Sequence, residues 1–389
     1  MNLLNTFAKL ATTLPAALIK SRFADIDTRV PWDREREELL GRAHWLCQEI
    51  IVPPNELIKK MPKELGRFYS GQWAVYSCCY TAVALANLCR IYPDVKEKML
   101  PKIEELVELI NTPVIRYYDT MKWKEDAMDG LDGTNEHMTY LSLLAWTITH
   151  YKFAGGDSRF DELLEACCQS LHRKMLFSPD LNLRSFPDAP IFLPDMLYTI
   201  AALHNYELLY DSWIYQDTIS RWIEKAQTIW LDQETGLLAS TLTRKLRKPR
   251  KNVRGSYTAL NCSLLSFCAN ESFARDQYIL FKKIFVKKSP IFGIREYLDK
   301  SPQLSFDVDA GPIVFGLSPS ASTFALGAAT WIGDWEMRSR LLQTASIVGE
   351  TVVDKAQGTC HYRLGEIAIC GEAVALGMRT MVNPQTLEE

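Results

Sequence analysis

The sequence lacks the motifs that announce a bound metal or nucleotide. No two CxxC pairs stand at zinc spacing, no H-x-x-x-H occurs, and no acid-rich loop of the EF-hand kind is present. No glycine-rich phosphate loop follows a strand, so the sequence implies no cofactor and no metal. It also lacks an excess of positive charge. With 44 Lys and Arg against 47 Asp and Glu, the net charge is −3, which argues against a nucleic-acid partner. No window approaches 18 uninterrupted apolar residues, so no transmembrane helix is expected. The opening MNLLNTFAKLATTLPAALIKSRF has no charged start and no small-x-small cleavage site, which reads against a signal peptide. The ten cysteines fall mostly inside apolar helical stretches, as small buried thiols do. Unpaired thiols in that number are expected of a reducing, cytoplasmic compartment. Nothing in the sequence fixes an oligomeric state.

What is present is a recurring unit, clearest from Phe306 to Leu341. A polar loop with Asp307 and Asp309 leads into a nearly charge-free helix, a Gly333-Asp334 turn, and a charged amphipathic helix. An apolar helix buries itself on every side, whereas an amphipathic one keeps a face for solvent. The turn residues Asp94, Asp157, Asp211, Asn270 and Asp334 recur at intervals of 63, 54, 59 and 64. A period near 60 fits two helices and two loops, one short and one long. Apolar helices are expected over 71–92, 135–153, 195–210, 256–269, 321–332 and 367–382. The unpaired amphipathic stretch 34–51 supplies the sixth outer helix and packs beside 367–382. The expected fold is therefore all-α, an (α/α)6 toroid of six hairpins over 34–389, preceded by an N-terminal arm, 1–33. Two β-prone runs, 237–243 and 359–364, are expected to make short hairpin excursions at the rim.

The six-hairpin pattern resembles the (α/α)6 superfamily of glycoside hydrolases, polysaccharide lyases and sugar epimerases. FPDAPIFLPDMLYTIAALHNYELLYD is similar to inner-helix segments of that group, in which an acid opens a helix of small apolar residues. The resemblance implies a carbohydrate-active enzyme, a hydrolase or lyase, with a saccharide substrate. A weaker resemblance joins TNEHMTYLSLLAWTITHYKFAGGDSRFDELL to the His-plus-Tyr helix of linalool dehydratase/isomerase-like proteins. It implies acid/base work by His137 and Tyr140 on a small hydrophobic alcohol. Those proteins rely on a cysteine pair near the next hairpin's loop, where this chain has Phe192 and Leu193. A non-catalytic toroid that binds a glycan or partner is the third reading.

In such a ring the inner helices run parallel, so their N-termini gather at one mouth with the long loops. That sorting assigns the catalytic candidates Asp195, Asp309, Glu136, Glu372 and His137 to a common funnel. Tyr69, Trp73, Tyr140, Asp188, Arg254, Tyr257, Asp307, His361 and Tyr362 are the expected substrate contacts. Glycosidic cleavage needs a proton-holding acid and a second carboxylate. Each candidate also has a plainer role. Asp195 follows Pro194 as a helix-capping acid does, and Asp307 and Asp309 suit a turn. Glu136 and His137 are favourable in a first helical turn, and Glu372 among small residues needs an ion-pair partner or a function. Converging helix N-termini further favour an anionic substrate group such as a uronate. The basic run 244–254 is expected to be a solvated loop or a grip on anions.

Overall fold

The computed structural model describes residues 26–62, 66–251, 253–268, 270–289, 291–298 and 304–382. Most of the arm 1–33, with the stretch weighed as a signal peptide, lies outside them. The described chain opens with α1 (Trp32–Ile50) and the short α2 (Pro54–Lys60). Five helical hairpins follow. They are α3 (Gly66–Ile91) with α4 (Lys96–Ile110) and, after α5 (Pro113–Trp123), α6 (Met138–Phe153) with α7 (Asp161–Phe177). Next come α8 (Leu193–Tyr210) with α9 (Gln216–Thr228), α10 (Gly255–Leu265) with α11 (Glu271–Phe285), and α12 (Pro319–Ile332) with α13 (Trp335–Gly349). The last helix is α14 (Ile369–Arg379).

Six helices close on one another. α3 packs on α6, α6 on α8, α8 on α10, α10 on α12, α12 on α14, and α14 returns to α3. Outside them α4, α7, α9, α11 and α13 each pack on their hairpin partner, and α1 packs on α14. The chain is an (α/α)6 toroid. The inner helices carry almost no polar face, as in α6, where Met138 through Tyr151 are all buried. A helix apolar all round can only sit between layers. Phe68–Ile91 is long and apolar enough to cross a membrane by length and composition, yet 83% of that window is buried in the ring. It is a core helix.

Local chemistry sets the hairpin turns. Gly333 ends α12 in the left-handed region at φ 77°, where a side chain is disfavoured. Asp334 then caps α13 by accepting from the Met337 amide, and Asn270 caps α11 through the Phe273 amide. These turns are short, and the connections at the other end are long. Strands occur in the long connections. β1 (Ile191–Phe192) pairs with β2 (Thr241–Leu242), and β3 (Val286–Lys287) with β4 (Gly293–Ile294). β5 (Leu304–Asp307) pairs with β6 (Gly311–Val314), and β7 (Thr351–Asp354) with β8 (Thr359–Tyr362). The run 359–364 thus forms its hairpin. The run 237–243 also pairs antiparallel with its neighbours, Leu238 with Leu231 and Leu242 with Pro249, and in addition with β1 from the preceding long connection. The acid loop before α12 is a correction, since it is itself a hairpin, with Gly311 at φ 71° where its second strand begins.

The ring is closed by charge as well as packing. Arg338 on α13 donates to both carboxylate oxygens of Glu35 on α1, at 2.6 and 2.8 Å. Arg379 on α14 reaches Glu35 at 2.8 Å and Glu38 at 2.7 Å. Both guanidiniums are buried, so the first helix is latched to the last hairpin by groups that cannot be left unpaired. All ten cysteines are free, and all but Cys47 and Cys370 are buried.

Candidate functional site

Asp195 occupies the first turn of α8, behind Pro194. Its Oδ2 accepts from Ser185 Oγ at 2.5 Å and from Thr139 Oγ1, in the first turn of α6, at 3.1 Å. Burial pushes its carboxyl up to about 6, against the pull of those two hydroxyls, and the charge of Asp309 adds to the rise. Yet the side chain keeps partial access to solvent. A group that is accessible and strongly desolvated lies in a recess rather than on a convex surface. The floor of that recess is aromatic. The Tyr80 and Tyr198 hydroxyls bond across the ring from α3 and α8, and Trp146 packs on both at centroid distances of 5.7 and 5.1 Å. Tyr76, one turn above Tyr80, is half-buried and senses the charge of Asp195.

The opposite carboxylate comes from the β5–β6 hairpin. Asp309 sits at its tip and accepts from the Tyr257 hydroxyl at 2.6 Å. Burial raises its pKa first, and Asp307 raises it further. Asp307 itself ties the turn, accepting from the amides of Asp309 and Ala310 at 2.9 and 3.0 Å. Burial raises its carboxyl, but Arg254 and the two amides outweigh that and hold it below the ordinary range. Arg254 precedes α10 and braces the whole corner. It donates to Glu296 at 2.6 Å and to Asp307 at 2.7 Å, and lies over the Tyr257 ring at 4.9 Å. Glu296, fully buried, is satisfied by Arg254 and by the Ser256 amide and hydroxyl. Phe192 meets Tyr257 edge-on at 5.8 Å.

Asp195, Asp309, Asp307, Tyr257 and Arg254 therefore meet in one place. Other candidates belong to separate networks. Glu136 makes a two-pronged pair with Arg184, at 2.8 and 3.0 Å. Buried His137 sits before α6 at φ 47°, with Nδ1 2.5 Å from Asp119 and Nε2 3.3 Å from Glu125. Both ring nitrogens are spent on carboxylates. The Tyr140 hydroxyl turns outward, to the Ile110 carbonyl and Asn111, both at 3.3 Å. Glu372 is buried against Arg42 of α1 and accepts from the Tyr362 amide at 3.1 Å, while Tyr362 lies 3.8 Å under the Arg42 guanidinium. His361 stacks on Trp45 at 4.3 Å and faces Glu366 at 3.2 Å. Tyr69 is half-buried and meets Phe68 edge-on at 5.0 Å; Trp73 is half-buried on the same helix. Asp188 is exposed and pairs with Arg244 at 2.9 Å. Within the rest of the basic run Arg247 pairs with Asp180 and Lys251 with Glu234.

Sequence reasoning missed Tyr76, Tyr118, Thr139, Ser185 and Glu296. Thr139 was within reach, because it occupies an inner helix's first turn two residues after His137. Tyr118 and Asp119 ride on α5, which PVIRYYDTMKW announces by its proline at the first helical position. No group of three or more His, Cys, Asp or Glu side chains able to hold a metal occurs among the described residues.

No family model matches the sequence, and no curated protein matches it. Among solved structures the chain is similar to a glycoside hydrolase from family 105 of C. acetobutylicum ATCC 824. The TM-score is 0.49 at 11% identity, covering 78% of this chain and 91% of that one.

Proposed function

We propose that the protein is a carbohydrate-active acid/base enzyme, a glycoside hydrolase or lyase, working in the recess between Asp195 and Asp309. One observation carries the reading. Asp195 is an accessible carboxyl that burial pushes up to about 6, with a second carboxylate close enough to add to that shift. Two such groups with different surroundings are what proton transfer to a leaving oxygen requires. Asp195 is the proton donor: its two hydroxyl donors fix its rotamer, and its raised pKa leaves a protonated fraction near neutrality. Asp309, oriented by the Tyr257 hydroxyl, is the base toward water or a C–H. Tyr76, Tyr257 and Phe192 supply faces and edges on which a sugar ring stacks.

The test is turnover on a panel of aryl and natural glycosides by the parent protein, Asp195→Asn and Asp309→Asn. We expect both variants to fold, to bind substrate with little change, and to lose about 10²-fold or more in kcat. The parent's kcat/KM should fall as pH rises through the region of 6. Parent turnover that survives both substitutions would remove the assignment. A panel that is bound but never turned over would leave a glycan-binding toroid.

A further inference from the structure

Ahead of Arg254, the basic run carries charge that the recess does not use. From Arg244 to Lys251 six of eight residues are Lys or Arg. Three are matched: Arg244 by Asp188, Arg247 by Asp180 and Lys251 by Glu234. Lys245, Lys248 and Arg250 are exposed and have no carboxylate partner among the described residues. In a chain of net charge −3 this is a local excess of the opposite sign.

The run is held in a defined shape. Leu242 bridges Pro249, the Thr243 amide donates to the Lys248 carbonyl at 2.9 Å, and the Arg247 amide donates to the Thr243 carbonyl at 2.9 Å. Residues 241–250 are therefore a short hairpin with Arg244, Lys245 and Leu246 in its turn. Leu242 is fully buried, so Lys248 and Arg250, on either side of its partner Pro249, take the alternate, outward face. Arg247 fixes the turn to the end of α7. It pairs with Asp180 and donates to Ser178 Oγ at 2.9 Å and to the Asn182 carbonyl at 3.1 Å.

That anchorage puts apolar side chains beside the charge. Leu246 precedes Arg247 and Phe177 precedes Ser178, so the two flank one hydrogen bond. Phe177 is 84% exposed, Leu246 72% and neighbouring Leu176 52%. Single exposed apolar residues need no explanation, but a group of them next to unmatched cations marks an interaction surface. A polyanion answers the cations and leaves Leu246 and Phe177 in water. An anionic bilayer answers both, because its headgroups meet the cations and its acyl chains take the apolar tips. The patch also lies at the mouth of the toroid: β2, at the hairpin's base, pairs with β1, whose Phe192 meets Tyr257 of the recess.

We propose that the 241–250 hairpin and the end of α7 dock on an anionic lipid bilayer, Leu246 and Phe177 entering it while Lys245, Lys248 and Arg250 hold its headgroups. Docking in this way turns the mouth of the toroid toward the membrane. It is independent of the chemistry assigned to the recess, because its test reads binding and not turnover.

The full chain is floated with vesicles of phosphatidylcholine alone and of phosphatidylcholine with phosphatidylserine at about 3:1. We expect binding to the mixed vesicles that weakens when salt is raised to about 0.5 M, and binding about tenfold or more weaker to phosphatidylcholine alone. Lys245→Gln with Lys248→Gln should weaken it about 25-fold, roughly fivefold for each cation. Phe177→Ser with Leu246→Ser should weaken it about tenfold or more on the same vesicles. All four side chains are exposed, so both variants should keep the parent's urea midpoint. Equal binding to the two kinds of vesicle, or none to either, overturns the proposal. So does a Phe177→Ser, Leu246→Ser variant that binds the mixed vesicles like the parent. A single-stranded oligonucleotide that binds the parent as tightly as the vesicles do, and that apolar variant no less tightly, gives the surface to a polyanion instead.

Discussion

Replacing Asp195 with Asn should stabilise the fold at alkaline pH while removing the acid/base activity proposed for the recess. An unfolded aspartate titrates near 3.9, and in the fold burial pushes Asp195 up to about 6. The folded state then binds this proton more tightly than the unfolded one. The group is neutral and harmless below about 4, and its penalty grows as pH rises through the window from about 4 to 6. Above about 7 the penalty is complete. A shift of some two units is worth about 3 kcal/mol at 1.36 kcal/mol per unit, an upper bound because the side chain keeps partial solvent access. Asn removes the charge but keeps a carbonyl for Thr139 and Ser185, with weaker, neutral hydrogen bonds that return about 1 kcal/mol of the gain. The net expectation is a gain of about 1–2 kcal/mol at pH 8 and a loss of up to about 1 kcal/mol at pH 4. Urea unfolding of parent and variant at pH 4, 6 and 8 measures it, because every other titrating group cancels in the difference. A difference that is constant across pH, or a variant less stable at pH 8, refutes the reasoning.

Three further outcomes follow from the same bookkeeping of charge and burial. Arg379→Met should cost about 3–5 kcal/mol, because it leaves Glu35 and Glu38 short of a buried partner at the ring closure; an unchanged urea midpoint would show the latch to be idle. Glu35 is raised by burial, but Arg338 and Arg379 outweigh that and hold it at about 2, so its stabilisation is full above about 4.5 and is lost as pH falls toward 2. Glu35→Gln should flatten that acid limb, and an equally steep loss in the variant would place the dependence elsewhere. A thiol reagent on the native protein should label Cys47 and Cys370 first, since both are half-buried while the other eight are buried; rapid labelling of most thiols would contradict the packing.

The ring was legible because its signals are local. An apolar stretch, a Gly, Asn or Asp turn and an amphipathic stretch each announce themselves within about 20 residues, and repetition supplies the count. The closure of α1 on α14 was also readable, since a lone outer helix at one end and a lone inner helix at the other have each other as partners. Sorting the long loops to one mouth found Asp195, Asp309, Asp307, Tyr257 and Arg254 together. The same sorting failed to separate site from scaffold, because that difference is set by partners far away in sequence. Glu372 is matched by Arg42, 330 positions earlier, and Glu136 by Arg184, 48 positions later. Neither pairing leaves a trace in the pattern around the acid. His137 was drawn to the mouth by its place at a helix start, but Asp119 holds it from a helix that the periodicity did not reveal. What distinguishes Asp195 is the reverse. Its fixed partners are two neutral hydroxyls, so its charge is solvated without being cancelled, and a carboxyl left in that state can still exchange a proton with whatever enters the recess.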